Sequence, residues 1–243
     1  MHVPSRRRLA VTHVAALLAV SLAGCGSDNT DQASRAPRPH DLGGCLSSDE
    51  ATLSWYDDDS LSAAVGVFES SGDAGVVVSY EQSGSVCPWL SLAERLSDVG
   101  LTVLVYERLD DYDPGEYLPA MVGLLREDGV DHVGLVGGSI GGMASIISAA
   151  GITPPVAAVV SLSGASPATI AAAPDLTMPL LQIVAKDDEP FATAAASTDA
   201  AAHAAPTHQL VVVRGNAHAS VLLSIDSRSS DRVVTFLNEK LSS

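Results

Sequence analysis

Basic residues are scarce in this sequence, which has 13 Lys and Arg against 29 Asp and Glu and a formal net charge of −16. Proteins that bind nucleic acid neutralise phosphates with Lys and Arg, so nucleic acid is excluded as an expected partner. Aromatic residues are also few, at 4% of the 243 residues, yet 47% are hydrophobic. That fraction is too high for a disordered acidic chain, and the length is that of one domain with a sizeable core.

Long apolar runs are lacking except near the N-terminus, where Arg6–Arg8 precedes the apolar segment Leu9–Ala23. This segment is shorter than the roughly 20 residues of a membrane-spanning helix, and the pattern predicts a signal peptide over residues 1–24. Its end, Leu22-Ala23-Gly24-Cys25, resembles the lipobox of bacterial lipoproteins. The resemblance implies cleavage before Cys25 and lipidation of its thiol. An ordinary signal peptide followed by a chance cysteine is the alternative.

Export would place the protein in the cell envelope, lipid-anchored on the extracytoplasmic side of a bacterial membrane. Loss of residues 1–24 removes three arginines and no acids, so the mature chain would carry a charge of −19. We therefore expect the lipid alone to contact the membrane. Residues 25–43 are polar and rich in Gly, Pro, Ser and Asp, which predicts a flexible linker ahead of a domain over residues 44–243.

Cysteine is rare, with three in the chain. If Cys25 is lipidated in an oxidising compartment, Cys45 and Cys87 remain as an even pair, and we predict a disulfide between them. Such a bridge would stabilise the fold by about 4 kcal/mol in the chain-entropy treatment. Two unpaired buried thiols are the alternative, and the absence of a CxxC motif gives a redox role no support.

From Cys45 onward, short apolar runs alternate with segments of helical periodicity. The last six runs are rich in Val and Leu with little polar alternation, as in strands buried on both faces of a parallel sheet. The pattern predicts an α/β fold, a three-layer α/β/α sandwich around a mostly parallel eight-stranded sheet. The predicted strands are 51–55, 63–68, 75–80, 101–106, 132–136, 156–162, 180–184 and 209–213, and the predicted helices lie near 89–96, 118–125, 140–150, 191–205 and 231–241.

One glycine-rich segment stands between a predicted strand and a predicted helix. It reads Gly137-Gly138-Ser139-Ile140-Gly141 and has the GxSxG pattern of a nucleophile elbow in the context that such an elbow requires. Gly137 and Gly141 leave room for strand and helix to approach, which projects Ser139 at the carboxyl edge of the sheet. The backbone N–H of Ile140 would then face a developing oxyanion.

The same segment has two other interpretations. A glycine-rich turn that only packs is one alternative. A phosphate-binding loop is the other, but Met143 and Ala144 stand where that loop needs Lys and Ser or Thr.

A serine nucleophile needs a base, and a histidine base needs an orienting carboxylate. Among seven histidines, His218 is the candidate because it follows the last predicted strand in a loop at the same sheet edge. The acidic loop after the strand 180–184 supplies the carboxylate, with Asp188 preferred and Asp187 next. The chain order Ser139, Asp188, His218 is that of α/β-hydrolases.

From Cys45 to the C-terminus the sequence resembles the α/β-hydrolase family, most closely members of the dienelactone-hydrolase and serine-esterase type. The resemblance implies a Ser139–His218–Asp188 triad, with the backbone N–H groups of Ile140 and of Gln82 (or Glu81) as oxyanion hole. It implies no metal and no cofactor. About 16 residues join the sixth and seventh strands, so no large lid is expected.

The sequence departs from that family in two places. Tyr80 and Glu81 replace a usual histidine and a usual small or amide residue, which brings a carboxylate close to the oxyanion site. The segment 107–113 is acidic and lacks the family's Asp-x-x-Gly-x-Gly turn; it either disfavours anionic substrates or is simply solvated.

The resemblance implies a serine hydrolase that cleaves an ester or related acyl bond of a small-molecule substrate. A non-catalytic binding or scaffold lipoprotein is the main alternative, favoured by Tyr80 and Glu81. Acyl transfer to an alcohol would use the same residues.

Overall fold

The structure, a computed structural model, describes residues 39–109 and 113–242. The predicted signal peptide, Cys25, most of the predicted linker and residues 110–112 lie outside the described residues. The described chain contains a two-stranded hairpin and an eight-stranded sheet. The hairpin is β1 Asp41–Leu42 with β2 Leu46–Ser47, and the strands of the sheet are β3 Thr52–Asp57, β4 Ser62–Phe68, β5 Ala74–Ser79, β6 Thr102–Arg108, β7 His132–Gly138, β8 Ala158–Leu162, β9 Leu180–Ala185 and β10 His208–Val213.

The sheet has the order β10-β9-β8-β7-β5-β6-β4-β3. Strands β5 to β10 run parallel, and β4 is antiparallel to both of its neighbours, β3 and β6. Every residue of β5 and of β9 is buried, which explains why these strands lack polar alternation. The predicted mostly parallel eight-stranded sheet is confirmed, and each predicted strand boundary lies within two residues of the observed one.

Helices cover both faces of the sheet and form the outer layers. Leu96 of α1 and Leu237 of α7 pack in one core cluster, whereas Leu118 of α2 and Ile146 of α3 pack in the other. The helices are α1 Leu90–Asp98, α2 Pro114–Glu127, α3 Ile140–Ala149, α4 Pro167–Ala172, α5 Phe191–Ala201, α6 Val221–Ile225 and α7 Ser227–Leu241. Within the described residues, no helix is long and apolar enough to cross a membrane.

Some helix boundaries differ from those predicted. Helix α2 begins earlier because the Asp113 carboxylate accepts from the Gly115 N–H at 2.8 Å and the Glu116 carboxylate accepts from the Asp113 N–H at 3.2 Å, a capping box. Helix α5 ends at Ala201 instead of residue 205, because the chain must turn through Pro206 to enter β10. The short helices α4 and α6 were not predicted.

The chain is already part of the fold at β1, within the segment predicted as linker. Leu42 is only 1% exposed and joins the core, because the β1–β2 hairpin holds it against the sheet. The predicted disulfide between Cys45 and Cys87 is present, with a Cα–Cα distance of 5.8 Å. It links the hairpin to the loop that follows β5.

Candidate active site

Ser139 occupies the turn between β7 and α3 with φ 52° and ψ −120°. A non-glycine residue in such a conformation is strained by roughly 1–3 kcal/mol, so its surroundings must enforce it. A Cβ at Gly137 would lie 2.5 Å from the Gly141 carbonyl carbon, and one at Gly141 would collide with the Tyr80 carbonyl oxygen. Only glycine fits at these two positions. The Ser139 N–H donates to the Leu162 carbonyl oxygen at 2.9 Å, which ties the turn to β8.

The Ser139 hydroxyl does not cap the helix that it precedes. A serine at this position usually accepts a hydrogen bond from the first turn, but the backbone conformation of Ser139 prevents this. The hydroxyl is therefore not engaged as a cap. Ile140 is the first residue of α3, so its N–H has no hydrogen-bond partner within the helix. A helix N-terminus with unsatisfied N–H groups is a favourable place for an anion.

His218 contacts Asp188 at the same edge of the sheet. Its Nδ1 lies 2.9 Å and 3.1 Å from the two Asp188 carboxylate oxygens. An ionised carboxylate only accepts, so Nδ1 carries the proton and Nε2 is left as the basic nitrogen. Asp188 is buried whereas Asp187 is exposed, and the carboxylate that contacts His218 is that of Asp188. The Phe191 ring packs on the imidazole with centroids 4.6 Å apart.

The histidine loop, residues 214–220, packs directly on the elbow. A Cβ at Gly138 would lie 2.9 Å from the Ala219 Cβ and 2.7 Å from the Trp89 ring. Gly138, which precedes Ser139, is therefore packed against Ala219, which follows His218. Among the described residues no hydrogen bond joins the Ser139 hydroxyl to the His218 ring. Catalytic hydrogen bonds are often long in the absence of substrate and become short only when it binds.

The predicted oxyanion loop, residues 80–84, follows β5 and passes the first turn of α3. The Gly84 N–H donates to the Glu81 carbonyl oxygen at 2.8 Å, and Gly84 has φ +76°, which closes a tight turn with Gln82 exposed near its tip. The close approach of the Tyr80 carbonyl to Gly141 brings this loop beside Ser139. Both predicted oxyanion residues, Ile140 and Gln82, therefore lie on segments that meet at the elbow.

Glu81 points toward the histidine loop. Its carboxylate accepts a hydrogen bond from the Ser220 hydroxyl at 2.8 Å. Tyr80, at the position of the histidine usual in similar hydrolases, belongs to the core. It is 1% exposed and packs edge-on against Tyr106, with ring centroids 5.1 Å apart. Burial raises the pKa of both phenols well above the ordinary value, so both remain neutral at physiological pH.

Three further residues lie at this site and were not predicted from the sequence: Phe191, Ser220 and Ser163. Ser163 has φ 52° and is 2% exposed, and its hydroxyl has no hydrogen-bond partner among the described residues. It directly follows Leu162, the residue that accepts the Ser139 N–H. The sequence signal for Ser163 is its position directly after the buried strand β8, at the same carboxyl edge of the sheet as Ser139. The described residues contain no cluster of three or more His, Cys, Asp or Glu able to hold a metal ion.

Part of the chain matches a known protein family. Residues 116–229, which include Ser139, Asp188 and His218, match the Dienelactone hydrolase family. Among proteins of curated function, none is detectably similar in sequence.

Three solved structures illustrate the shared fold. Est1E from Butyrivibrio proteoclasticus superposes with a TM-score of 0.66 at 15% identity, covering 79% of this chain and 99% of its own. Dienelactone hydrolase from Anabaena variabilis gives 0.59 at 22% identity, with 78% and 95% covered. The Pyrococcus furiosus esterase Pf2001 gives 0.67 at 15% identity, with 84% and 100% covered. The chain has the α/β-hydrolase fold.

Proposed function

We propose that the protein is a serine hydrolase that cleaves an ester or related acyl bond of a small molecule. The observation that carries the proposal is the convergence of three groups at one sheet edge: the uncapped Ser139 hydroxyl, His218 beside the same turn, and the buried Asp188 carboxylate on His218 Nδ1. The Dienelactone hydrolase family match and the esterase-like fold support a hydrolase with a small-molecule substrate.

The reaction follows from the roles of these groups. His218 Nε2 takes the Ser139 proton as the serine oxygen attacks the acyl carbon, and Asp188 stabilises the imidazolium that forms. The N–H groups of Ile140 and Gln82 bind the oxyanion. The leaving alcohol takes the proton from His218, and water, deprotonated in turn by His218, releases the acyl group and restores Ser139.

The connection over the site supports a small, open pocket. Between β8 and β9 the chain forms only the six-residue helix α4 and one short 3-10 turn, Ala173–Asp175. A large lid that would bury a long acyl chain has no counterpart there.

A fluorophosphonate probe tests the proposal, because it forms a bond only with an activated serine. We expect labelling of the wild-type chain and none of Ser139→Ala. Ser91→Ala is the control, since it removes an exposed serine of α1 and should leave labelling intact. Absence of labelling in well-folded wild-type protein would overturn the proposal and favour a binding or scaffold protein. Turnover of esters of graded acyl length and of lactones then identifies the substrate class. Product analysis with competing alcohols distinguishes hydrolysis from acyl transfer.

We also propose that the chain is exported and lipidated at Cys25, which lies outside the described residues. The Cys45–Cys87 disulfide supports an oxidising compartment. Metabolic labelling with palmitate checks the proposal: wild type should incorporate the label and Cys25→Ser should not.

A further inference from the structure

The charge of the protein is distributed very unevenly along the folded chain. Residues 39–199 hold 24 acids and four cations, whereas residues 200–243 hold three acids and four cations. Half of the cations of the folded part therefore lie in its last 44 residues, where the strongly acidic character of the protein is absent.

Three of these cations surround one groove. The groove, of about 570 Å³, lies between the edge strand β10 and the start of α7 and includes Arg214, Arg228 and Arg232 in its lining. All three arginines are exposed. Three apolar residues also line the groove: Val213, and the exposed Val212 (55%) and Ile225 (62%).

One acid, Asp226, also lines the groove, so the lining carries three positive charges and one negative charge. Asp226 caps α7, where its carboxylate accepts from the Arg228 N–H at 3.3 Å and from the Ser229 hydroxyl at 3.0 Å. Asp231 pairs with Arg95 at 2.5 Å. Within the described part of the chain, no ion pair joins Arg214, Arg228 or Arg232 to a carboxylate. The guanidinium groups are therefore available to an external anion.

We propose that this groove docks the folded domain on anionic phospholipid headgroups. The arginines would bind phosphodiester oxygens, for which the guanidinium fork is well suited, while Ile225 and Val212 would enter the interfacial region. This revises the expectation that the predicted lipid alone touches the membrane. The proposal does not depend on hydrolytic activity.

A short stretch of chain joins the proposed lipid anchor to the folded part. If Cys25 carries the proposed lipid, the 13 residues between it and Pro39 allow at most about 50 Å between the anchor and the folded part. The acidic edge at β3, with Asp57, Asp58 and Asp59 beside it, is separated from β10 by seven inter-strand steps, about 33 Å. That distance is about three Debye lengths at 0.1 M salt, so the far acids are largely screened from a membrane that contacts the groove.

Charge also argues against a second copy of the chain in the groove. A symmetric pairing of two β10 edges would bring the two arginine clusters toward each other, and like charges in an interface are unfavourable. An anionic membrane surface would instead pair with the three arginines of the groove.

The test places an environment-sensitive fluorophore beside the groove in the full chain, reconstituted into vesicles. Ser224→Cys is the labelling site because Ser224 is exposed and adjacent to Ile225. Ser60→Cys, exposed near the opposite edge of the sheet, is the matched control. We expect a nitroxide lipid to quench the label at 224, but not at 60, in vesicles containing phosphatidylglycerol. High salt should reverse the quenching.

Arginine variants then test the chemistry. Since one cation near an anionic surface contributes roughly 1 kcal/mol, a fivefold effect, replacing all three arginines by alanine should lower the ratio of docked to undocked protein about 100-fold. Arg228→Ala should lower it about fivefold, whereas Arg126→Ala, which removes a cation from α2, should leave it unchanged.

Two results would overturn the proposal. One is equal quenching at position 224 in neutral and anionic vesicles. The other is a label at 224 that becomes buried with rising protein concentration in the absence of lipid, which would assign the groove to a second copy.

Discussion

The Ser220 hydroxyl donates a hydrogen bond to the Glu81 carboxylate across 2.8 Å, joining residues 139 positions apart in sequence. This contact connects the oxyanion loop to the histidine loop. It also engages a carboxylate that could otherwise turn toward the proposed oxyanion site, where negative charge would develop in the proposed reaction. Ser220 is 6% exposed, so the contact is largely shielded from water.

We predict that Ser220→Ala lowers kcat about tenfold, a barrier increase of about 1.4 kcal/mol, because the released Glu81 carboxylate opposes the oxyanion. Glu81→Gln in the same background should restore kcat, since the amide carries no charge. The measurement is kcat and KM for the four variants of the cycle. If Glu81→Gln fails to rescue Ser220→Ala, the contact has only a structural role.

The two neighbouring aspartates should differ sharply in their effects. Asp188→Asn would remove the charge that orients and stabilises protonated His218, and kcat should fall on the order of 10⁴-fold. Asp187→Asn changes an exposed side chain and should leave kcat within about twofold of wild type. Steady-state kinetics on both variants checks this, and similar losses in the two would refute the assignment of Asp188.

The strain at Ser139 should be measurable as stability. Ser139→Gly and Ser139→Ala both remove the nucleophile, but only glycine adopts φ 52° without steric cost. We expect the glycine variant to be more stable than the alanine variant by about 1–2 kcal/mol in urea unfolding. Equal stability would mean that the backbone relaxes in the alanine variant.

Gly141→Ala should disrupt the junction between elbow and oxyanion loop. The added Cβ would overlap the backbone carbonyl oxygen of Tyr80, which cannot move aside as a flexible side chain could. We expect a loss of about 3 kcal/mol or more in unfolding free energy, together with loss of activity. Gly123→Ala is the control: its Cβ meets nothing within 4 Å, and it lies inside α2, so this change should stabilise the protein by up to about 1 kcal/mol.

Removal of the disulfide should destabilise the domain without changing the catalytic groups. The double variant Cys45→Ala, Cys87→Ala frees a segment of 42 residues in the unfolded state, and we expect a loss of about 4 kcal/mol. Urea unfolding of this variant against wild type measures the difference. A loss below about 1 kcal/mol would show that the hairpin packs equally well without the bridge.

Much of the fold could be predicted from local pattern. The buried strands β5 and β9 have an uninterrupted apolar composition because both faces are covered, and that signal lies within each strand. The short helix α4 lacked such a signal, although Ser166 caps it and Pro167 opens it. The end of α5 was misplaced because an alanine-rich segment favours helix, while the entry into β10 requires a turn.

By itself, the sequence determined the order and type of the main elements, the elbow around Ser139 and the shortlist of His218 with Asp187 or Asp188. These depend on periodicity and on steric demands between residues close in the chain. Only the tertiary structure decided that Asp188 contacts His218, that Glu81 is held by Ser220, and that three arginines meet at one groove. Such contacts depend on how distant loops converge, because a few ångströms at the end of a strand determine which side chain reaches its partner.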